Sequence, residues 1–343
     1  MSAHHPPPRR HQTGARTASD DGASFAIRLA TARARREALA ATFEAYRIID
    51  GAGDGVPGVS LDRYGPWATL NVGEDAGWSD AAVTDAARRS LDVLAPDGVA
   101  AIYVKPFARD RSRLGGRLPD ESRRPEPRAG VVQPETLVID EYGARFEVRP
   151  YDGLSTGLFL EHREHRRALA ARRPARVLNL FAYTCGFAVP LAQGGAAVTN
   201  VDVSARYLAW GRRNLALNHL DAARVRFLRR DALDYLRTAG RAGERFDLVI
   251  LDPPSFGAAD PRRGIGAWRA VDDYPGLVRA AVAVLAPGGA VFAATNTRAL
   301  ARDEGLPRLV SAALGRPPQW LALPPWPVDV TDRARVAAVL FAP

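Results

Sequence analysis

Phe246-Asp-Leu-Val-Ile-Leu-Asp-Pro-Pro-Ser-Phe256 is the stretch from which the fold is read. Leu248 to Leu251 form an uninterrupted apolar run, the pattern of a parallel strand covered on both faces, and Pro253, which has no N–H to give a ladder, ends it. In open α/β sheets ligands bind just outside the carboxyl ends of strands. Asp252 and the Pro253 carbonyl are therefore placed to accept hydrogen bonds from an amino group while Phe256 stacks on the ring that bears it. An isolated Asp-Pro-Pro is an ordinary turn; the buried strand before it and the aromatic residue after it favour the ligand reading.

The same rhythm extends in both directions. From Arg176 onward, strand patterns at Val177 to Phe181, Val198 to Val203, Val225 to Leu228, Phe246 to Leu251 and Ala290 to Thr295 alternate with helical ones, and two further short candidates lie toward the carboxyl terminus. This predicts an α/β fold, a Rossmann-like, mostly parallel, doubly wound sheet with right-handed crossovers, over residues 151–343. A smaller α+β domain is expected at 25–150. It comprises a helix from Phe25 to about Tyr46, a turn at Asp54 to Gly58, a strand from Trp67 to Val72, a helix from Ala81 to Leu94, a strand from Ala100 to Val104, and a hairpin pairing Thr136 to Asp140 with Ala144 to Val148. Residues 1–24, rich in His, Pro, Arg, Ser and Gly, read as a disordered tail, in which His4, His5 and His11 have no fixed geometry for a metal.

At 343 residues the chain can bury sizeable cores without staples. Its one cysteine, Cys185, excludes an internal disulfide, no apolar leader precedes the first domain, and no stretch approaches a membrane span, so the expectation is a cytoplasmic protein with no metal and no membrane partner. The net charge of +9 and pI near 10.2 favour a polyanionic partner such as RNA. Lys105 is the only lysine, however, and so strong an arginine bias is equally the mark of a GC-rich genome. The basic loop at 106–130, with Arg109, Arg111, Arg113, Arg117, Arg123, Arg124 and Arg128, reads either as a phosphate contact or as a solvated surface partly neutralised by Asp110, Asp120, Glu121 and Glu126.

Each strand end in the second half supplies a polar group. The first strand passes through a tight turn at Thr184 to Gly186, where backbone can approach a ligand closely. The next ends at Asp202, roughly 20 residues further on, where nucleotide-binding sheets set a carboxylate against ribose hydroxyls. Ser204 follows as a helix cap, with Leu208, Gly211 and Leu215 on one face of that helix. The third strand ends at Asp231-Ala232, where Asp231 reads equally as a helix cap and as an acceptor for an adenine amino group. A nicotinamide dehydrogenase would want Gly-x-Gly-x-x-Gly, which Thr184-Cys185-Gly186 does not supply.

Three segments carry a resemblance: Tyr-Asp-Gly-Leu-Ser-Thr-Gly-Leu-Phe-Leu-Glu-His-Arg (151–163), Val-Leu-Asn-Leu-Phe-Ala-Tyr-Thr-Cys-Gly-Phe-Ala-Val (177–189) and Asp-Pro-Pro-Ser-Phe (252–256). With Gly53 to Gly58 and Asp62-Arg63-Tyr64, they make the chain resemble the S-adenosylmethionine-dependent large-subunit ribosomal RNA methyltransferases over roughly residues 25–343. The resemblance implies a class I methyltransferase fold, S-adenosyl-L-methionine as cofactor and RNA, ribosomal in the first instance, as partner. It implies Thr156, Phe159 and Arg163 at the lip of the cofactor pocket and Asn179, Asp202, Asp231 and Asp252 within it; Phe181, Tyr183, Thr184, Gly186, Ser204 and Ala232 complete the candidate cofactor-binding residues. Asp252, Pro253 and Phe256 are the candidate catalytic residues.

The sequence departs from that family at three places. The cytosine-C5 members carry an amino-terminal RNA-binding module where this chain has a short tail. Attack by C5 requires a thiolate to add to the neighbouring ring carbon, and the strand end where cysteine-based members hold it reads Ala-Thr-Asn-Thr, with Asn296 in the thiol's place. Cys185 stands in the cofactor turn where glycine is usual, and is expected to pack near the donor as a small apolar group. Transfer to a base nitrogen is therefore expected in preference to cytosine C5. The alternatives are methylation of a small molecule or protein side chain, and adenosyl-cofactor binding without turnover; a homodimer is left open.

Overall fold

The computed structural model describes residues 18–107, 120–154, 156–260 and 265–343. Residues 1–17 of the expected tail, and Arg109, Arg111, Arg113 and Arg117 of the basic loop, lie outside the described residues.

Among the described residues the chain builds two large sheets and two two-stranded ribbons. In the first, β1 (Ala45–Asp50), β2 (Val59–Tyr64), β3 (Trp67–Gly73), β4 (Ala101–Phe107) and β5 (Ala129–Gly130) lie in that order. All neighbours are antiparallel except β3 and β4, which run parallel because helix α3 (Asp80–Leu94) carries the chain back between them. Alternation sorts the side chains of this sheet. Val59, Leu61, Ala68, Leu70, Ile102 and Val104 join a core with Phe25, Leu29 and Ala32 of α1 (Ala18–Arg35) and with α3. Ser60, Asp62, Tyr64, Trp67, Thr69 and Asn71, one residue out of step, emerge on the opposite face.

Two expectations fail here. Residues 18–24 form the first turns of α1, so the helix starts inside the stretch read as tail. Nor does the helix reach Tyr46: it ends at Arg35, a one-turn α2 (Glu37–Ala40) follows, and Tyr46 belongs to β1. The cause is tertiary. Arg36 is drawn into the interior by Asp54, with Nη1–Oδ1 at 3.0 Å and Nη2–Oδ2 at 2.6 Å, which turns the chain where local periodicity would have continued it.

A hairpin of β6 (Leu137–Glu141) and β7 (Ala144–Val148) joins the two sheets. Tyr142 and Gly143 both have positive φ, the turn that matches strand twist. Ile139, Phe146 and Val148 bury in a core shared with Tyr64 and Trp67 of the first sheet and Leu208 and Leu215 of the second half.

The second sheet has the order β10-β9-β8-β11-β14-β16-β15. Its strands are β8 (Arg176–Leu180), β9 (Ala197–Asp202), β10 (Val225–Arg229), β11 (Phe246–Leu251), β14 (Leu285–Thr295), β15 (Gln319–Leu321) and β16 (Ala337–Ala342); the two-stranded ribbon of β12 (Phe256–Gly257) and β13 (Trp268–Arg269) stands apart. The first five pair in parallel and the last two antiparallel. Helices α4 (Arg163–Ala171), α5 (Ala188–Gln193) and α6 (Ala205–Leu217) cover one face; α7 (Ala232–Arg241), α8 (Ala270–Val282) and α10 (Gly305–Leu314) cover the other, with α9 (Arg298–Ala301) at the edge. In β11, Leu248 and Ile250 enter the first core and Val249 and Leu251 the second, which is why the run is apolar throughout.

Candidate functional site

The strand order places the ends of β10, β9, β8 and β11 side by side, and one cavity of about 690 Å³ opens across them. Asp202, Asp231 and Asp252 all line it.

At the β8 end the backbone is forced into an unusual path: Phe181, Tyr183 and Cys185 all have positive φ, which costs energy for residues with a Cβ. Asp202 holds the turn in place. Its Oδ2 accepts the Tyr183 N–H at 2.9 Å and its Oδ1 accepts the Ser204 N–H at 2.8 Å. Burial raises the Asp202 carboxyl above its ordinary range while these two bonds oppose the rise. Ser204 caps α6 by accepting from the Tyr207 N–H, and Asp231 caps α7 by accepting from the Asp234 N–H at 3.0 Å, while Asp231 and Ala232 also line the cavity. Asn179, buried in the floor, donates to Asn200 Oδ1 at 2.8 Å.

The lip is the segment from Thr156 to His162. Gly157 accepts from the Thr184 hydroxyl through its carbonyl and donates its N–H to the Tyr183 hydroxyl at 3.0 Å, tying lip to turn. Its φ is +108°, and a Cβ there would lie 2.4 Å from the Trp210 ring, so glycine is required. Thr156 donates to the Tyr64 hydroxyl at 2.7 Å, which fastens the lip to the first sheet. Phe159 lies against Tyr183 with ring centroids 5.2 Å apart, and Gly186 lines the wall behind.

Asp252 emerges from β11 with its side chain 25% exposed. Burial, reinforced by the negative charge of Glu161 and opposed by Arg166, pushes its carboxyl up to about 7. His162 Nε2 stands 3.5 Å away, and burial together with the charge of Arg166 pushes that imidazole down to about 3, so it is neutral. Pro253 is buried in the wall; Phe256, 58% exposed, sits at the mouth, where Trp268 Nε1 donates to the Pro254 carbonyl at 2.7 Å. Asn296 lines the cavity and accepts from the Ser255 hydroxyl at 2.9 Å.

Of the candidate cofactor-binding and catalytic residues, Arg163 alone does not line the cavity. It is 1% exposed, pairs with Asp329 at 2.7 Å and lies over the Phe43 ring, so its guanidinium joins the carboxyl-terminal segment to the helical start of the chain. Cys185 packs as a small apolar group between the cavity-lining Thr184 and Gly186. The positive φ turns its side chain inward, against Gly211 of α6, and it is fully buried without lining the cavity. Burial raises its thiol well above the ordinary value. Sequence reasoning gave no role to Tyr207, Glu161, His162 or Arg166, nor to the far wall formed by Arg47, Asp62, Tyr64, Thr69 and Asn71. The available signal was the polar member of each alternating pair in β2 and β3.

Comparison with known proteins is consistent with this geometry. The model of a family described as S-adenosylmethionine-dependent methyltransferase matches residues 122–342. Ribosomal RNA large subunit methyltransferase I of Salmonella paratyphi C is 37% identical over 278 residues, 79% of this chain and 65% of the relative. Its namesake in Klebsiella pneumoniae is 37% identical over 279 residues, 79% and 66% respectively. The chain thus spans less than two thirds of the length of either relative. The crystal structure of SMU.776 complexed with SAH superposes with a TM-score of 0.77 at 26% identity, over 94% of this chain and 82% of that one.

Proposed function

The chain belongs to the S-adenosylmethionine-dependent methyltransferase family, and from that premise we propose that it methylates a nitrogen of an RNA base, ribosomal RNA being the favoured substrate. The residues fit the cofactor. Asp202 offers acceptor lone pairs for ribose hydroxyls, Asp231 for an adenine amino group, and the strained turn brings backbone close to the ligand. When bound, the cofactor supplies an electrophilic methyl group.

The protein's contribution is position and charge. Asp252 and the Pro253 carbonyl accept from the target amino group and hold its nitrogen toward the donor, and Phe256 stacks on the base at the mouth. After transfer the nitrogen sheds one proton, and a carboxylate whose pKa lies near neutrality is matched to take it. The observation that carries the nitrogen reading is the absence of a thiol from the cavity wall. The single cysteine is turned into the core, and Asn296 occupies the strand end. Arg335 at the cavity suits a phosphate backbone, Arg230 and Arg298 beside it being already paired with Asp234 and Asp75, and the +9 charge acts in the same direction. No helix among the described residues is long and apolar enough to cross a membrane, and a reducing cytoplasm agrees with a buried free thiol.

The test incubates purified protein with isotopically labelled donor and RNA from a strain lacking the gene, then separates the nucleosides by mass spectrometry. Label on a base nitrogen is expected. Formation of 5-methylcytidine, or label that survives nuclease treatment in protein or small molecules, refutes the reading.

A further inference from the structure

The cavity does not stop at the strand ends. It continues past Asp252 to the polar face of the first sheet, where Arg47, Asp62, Thr69 and Asn71 form a wall that no cofactor contact explains. Most of that wall is already satisfied within the protein. Arg47 gives Nε and Nη2 to Asp62 at 2.6 and 3.3 Å and Nη1 to Asp50 at 3.0 Å, so its charge is compensated. Asn71 gives its amide to Ser60 Oγ at 3.1 Å and to Asp62 Oδ2 at 3.0 Å, which uses both hydrogens and fixes which end of the side chain is the carbonyl.

Asn71 is half-buried at the cavity, and with its amide hydrogens committed to Ser60 and Asp62 its Oδ1 is left to accept. Glu161, 9% exposed, has an Oε2 with no hydrogen-bond partner among the described residues, since Arg47 Nη2 at 3.9 Å is too distant for one. Thr69, 1% exposed, has a hydroxyl with no partner among the described residues. Buried polar groups are rarely left so without a ligand or water to complete them. Glu161 stands between the two parts of the cavity, near enough that its charge raises the carboxyls of both Asp252 and Asp62.

We infer that this wall is the compartment for the methyl-acceptor base, with Glu161 and Asn71 reading an edge that carries N–H donors. The assignment rests on the nitrogen-methylation reading and deepens it. A carboxylate and an amide carbonyl can only accept hydrogen bonds, so the edge they face must donate. Adenine, guanine and cytosine present exocyclic amino groups. Uracil sets a single N–H between two carbonyls, which would oppose oxygen to oxygen. Once Asp252 and the Pro253 carbonyl have taken the amino hydrogens, only guanine, with N1–H beside its amino group, still offers a donor, whereas adenine and cytosine set a ring-nitrogen lone pair there; the compartment therefore selects guanine and rejects uracil.

Glu161→Gln and Asn71→Ala test this, assayed with total RNA from a strain lacking the gene and, separately, by calorimetry with SAH. Both variants are expected to lose about tenfold or more in kcat/KM for RNA, chiefly through KM, while SAH affinity stays within about twofold of the parent and serves as the control for folding. Glu161→Gln also shifts the pH profile of the rate to lower pH, because it removes a charge that raises Asp252; a structural role alone would not do so. Unchanged kcat/KM in both variants, equal losses in SAH affinity, or a methylated adenosine, cytidine or uridine as product overturns the compartment while leaving the methyltransferase reading standing. A parent protein that methylates no RNA nitrogen overturns both.

Discussion

Raising the pH through neutrality is expected to switch on methyl transfer, and the group responsible is Asp252. Its carboxyl ordinarily titrates near 3.8 and is pushed up to about 7, first by burial and then by the charge of Glu161. A displacement of that size corresponds to about 4 kcal/mol against the ionised form. The ionised form is the one that accepts from the amino group and takes its proton. At about pH 6 roughly one molecule in ten of the unliganded protein carries the carboxylate, and at about pH 8 roughly nine in ten, so kcat/KM, which reports the free enzyme, should climb about ninefold over that interval and level off above it. His162, only 3.5 Å away, does not contribute an inflection there because its pKa lies at about 3. Single-turnover rates with labelled donor at subsaturating RNA measure the profile without interference from product release. Asp252→Asn is the control: it should be slower throughout and lack the inflection. A parent rate that is flat from about pH 6 to 8, or an inflection that persists in Asp252→Asn, refutes the assignment.

Three further outcomes are expected. Arg163→Met strands the buried Asp329 carboxylate and should cost about 3–5 kcal/mol in denaturant unfolding, with SAH affinity of the folded protein within about twofold of the parent; lost affinity at unchanged stability would restore Arg163 to the pocket. Cys185→Ala should keep full transfer activity and lower stability by about 1 kcal/mol; abolished activity would return the thiol to the mechanism. Asp202→Asn removes the charged acceptor for the Tyr183 and Ser204 N–H groups, and calorimetry should find SAH binding weakened about ten- to a hundredfold, whereas unaltered binding would mean that Asp202 only braces the turn.

How much was legible in the sequence depended on how far apart the deciding residues lie. The apolar run Leu248 to Leu251, the Pro253 stop and the carboxylates closing three successive strands are local signals, because strand burial, chain termination and the following helix cap are each decided within a few residues. The convergence of Asp202, Asp231 and Asp252 followed from parallel strand topology alone. Helix α1 was misjudged at its carboxyl end because the break at Arg36 is made by Asp54, 18 residues away. Arg163 is set at the lip by the family resemblance of its segment, whereas Asp329, 166 residues further on, takes its charge.

The sequence by itself determined the Rossmann-like class of the second half, the order of its strands along the chain and the residue types at their ends. Tertiary structure alone decided which way Cys185 turns, where Arg163 is spent, and that the polar stripe of β2 and β3 closes the far side of the cavity. The physical reason is that a strand's alternation specifies two faces but not what each will meet. That is settled only when Thr156 and Tyr64 bond across the gap between the sheets and fix one against the other.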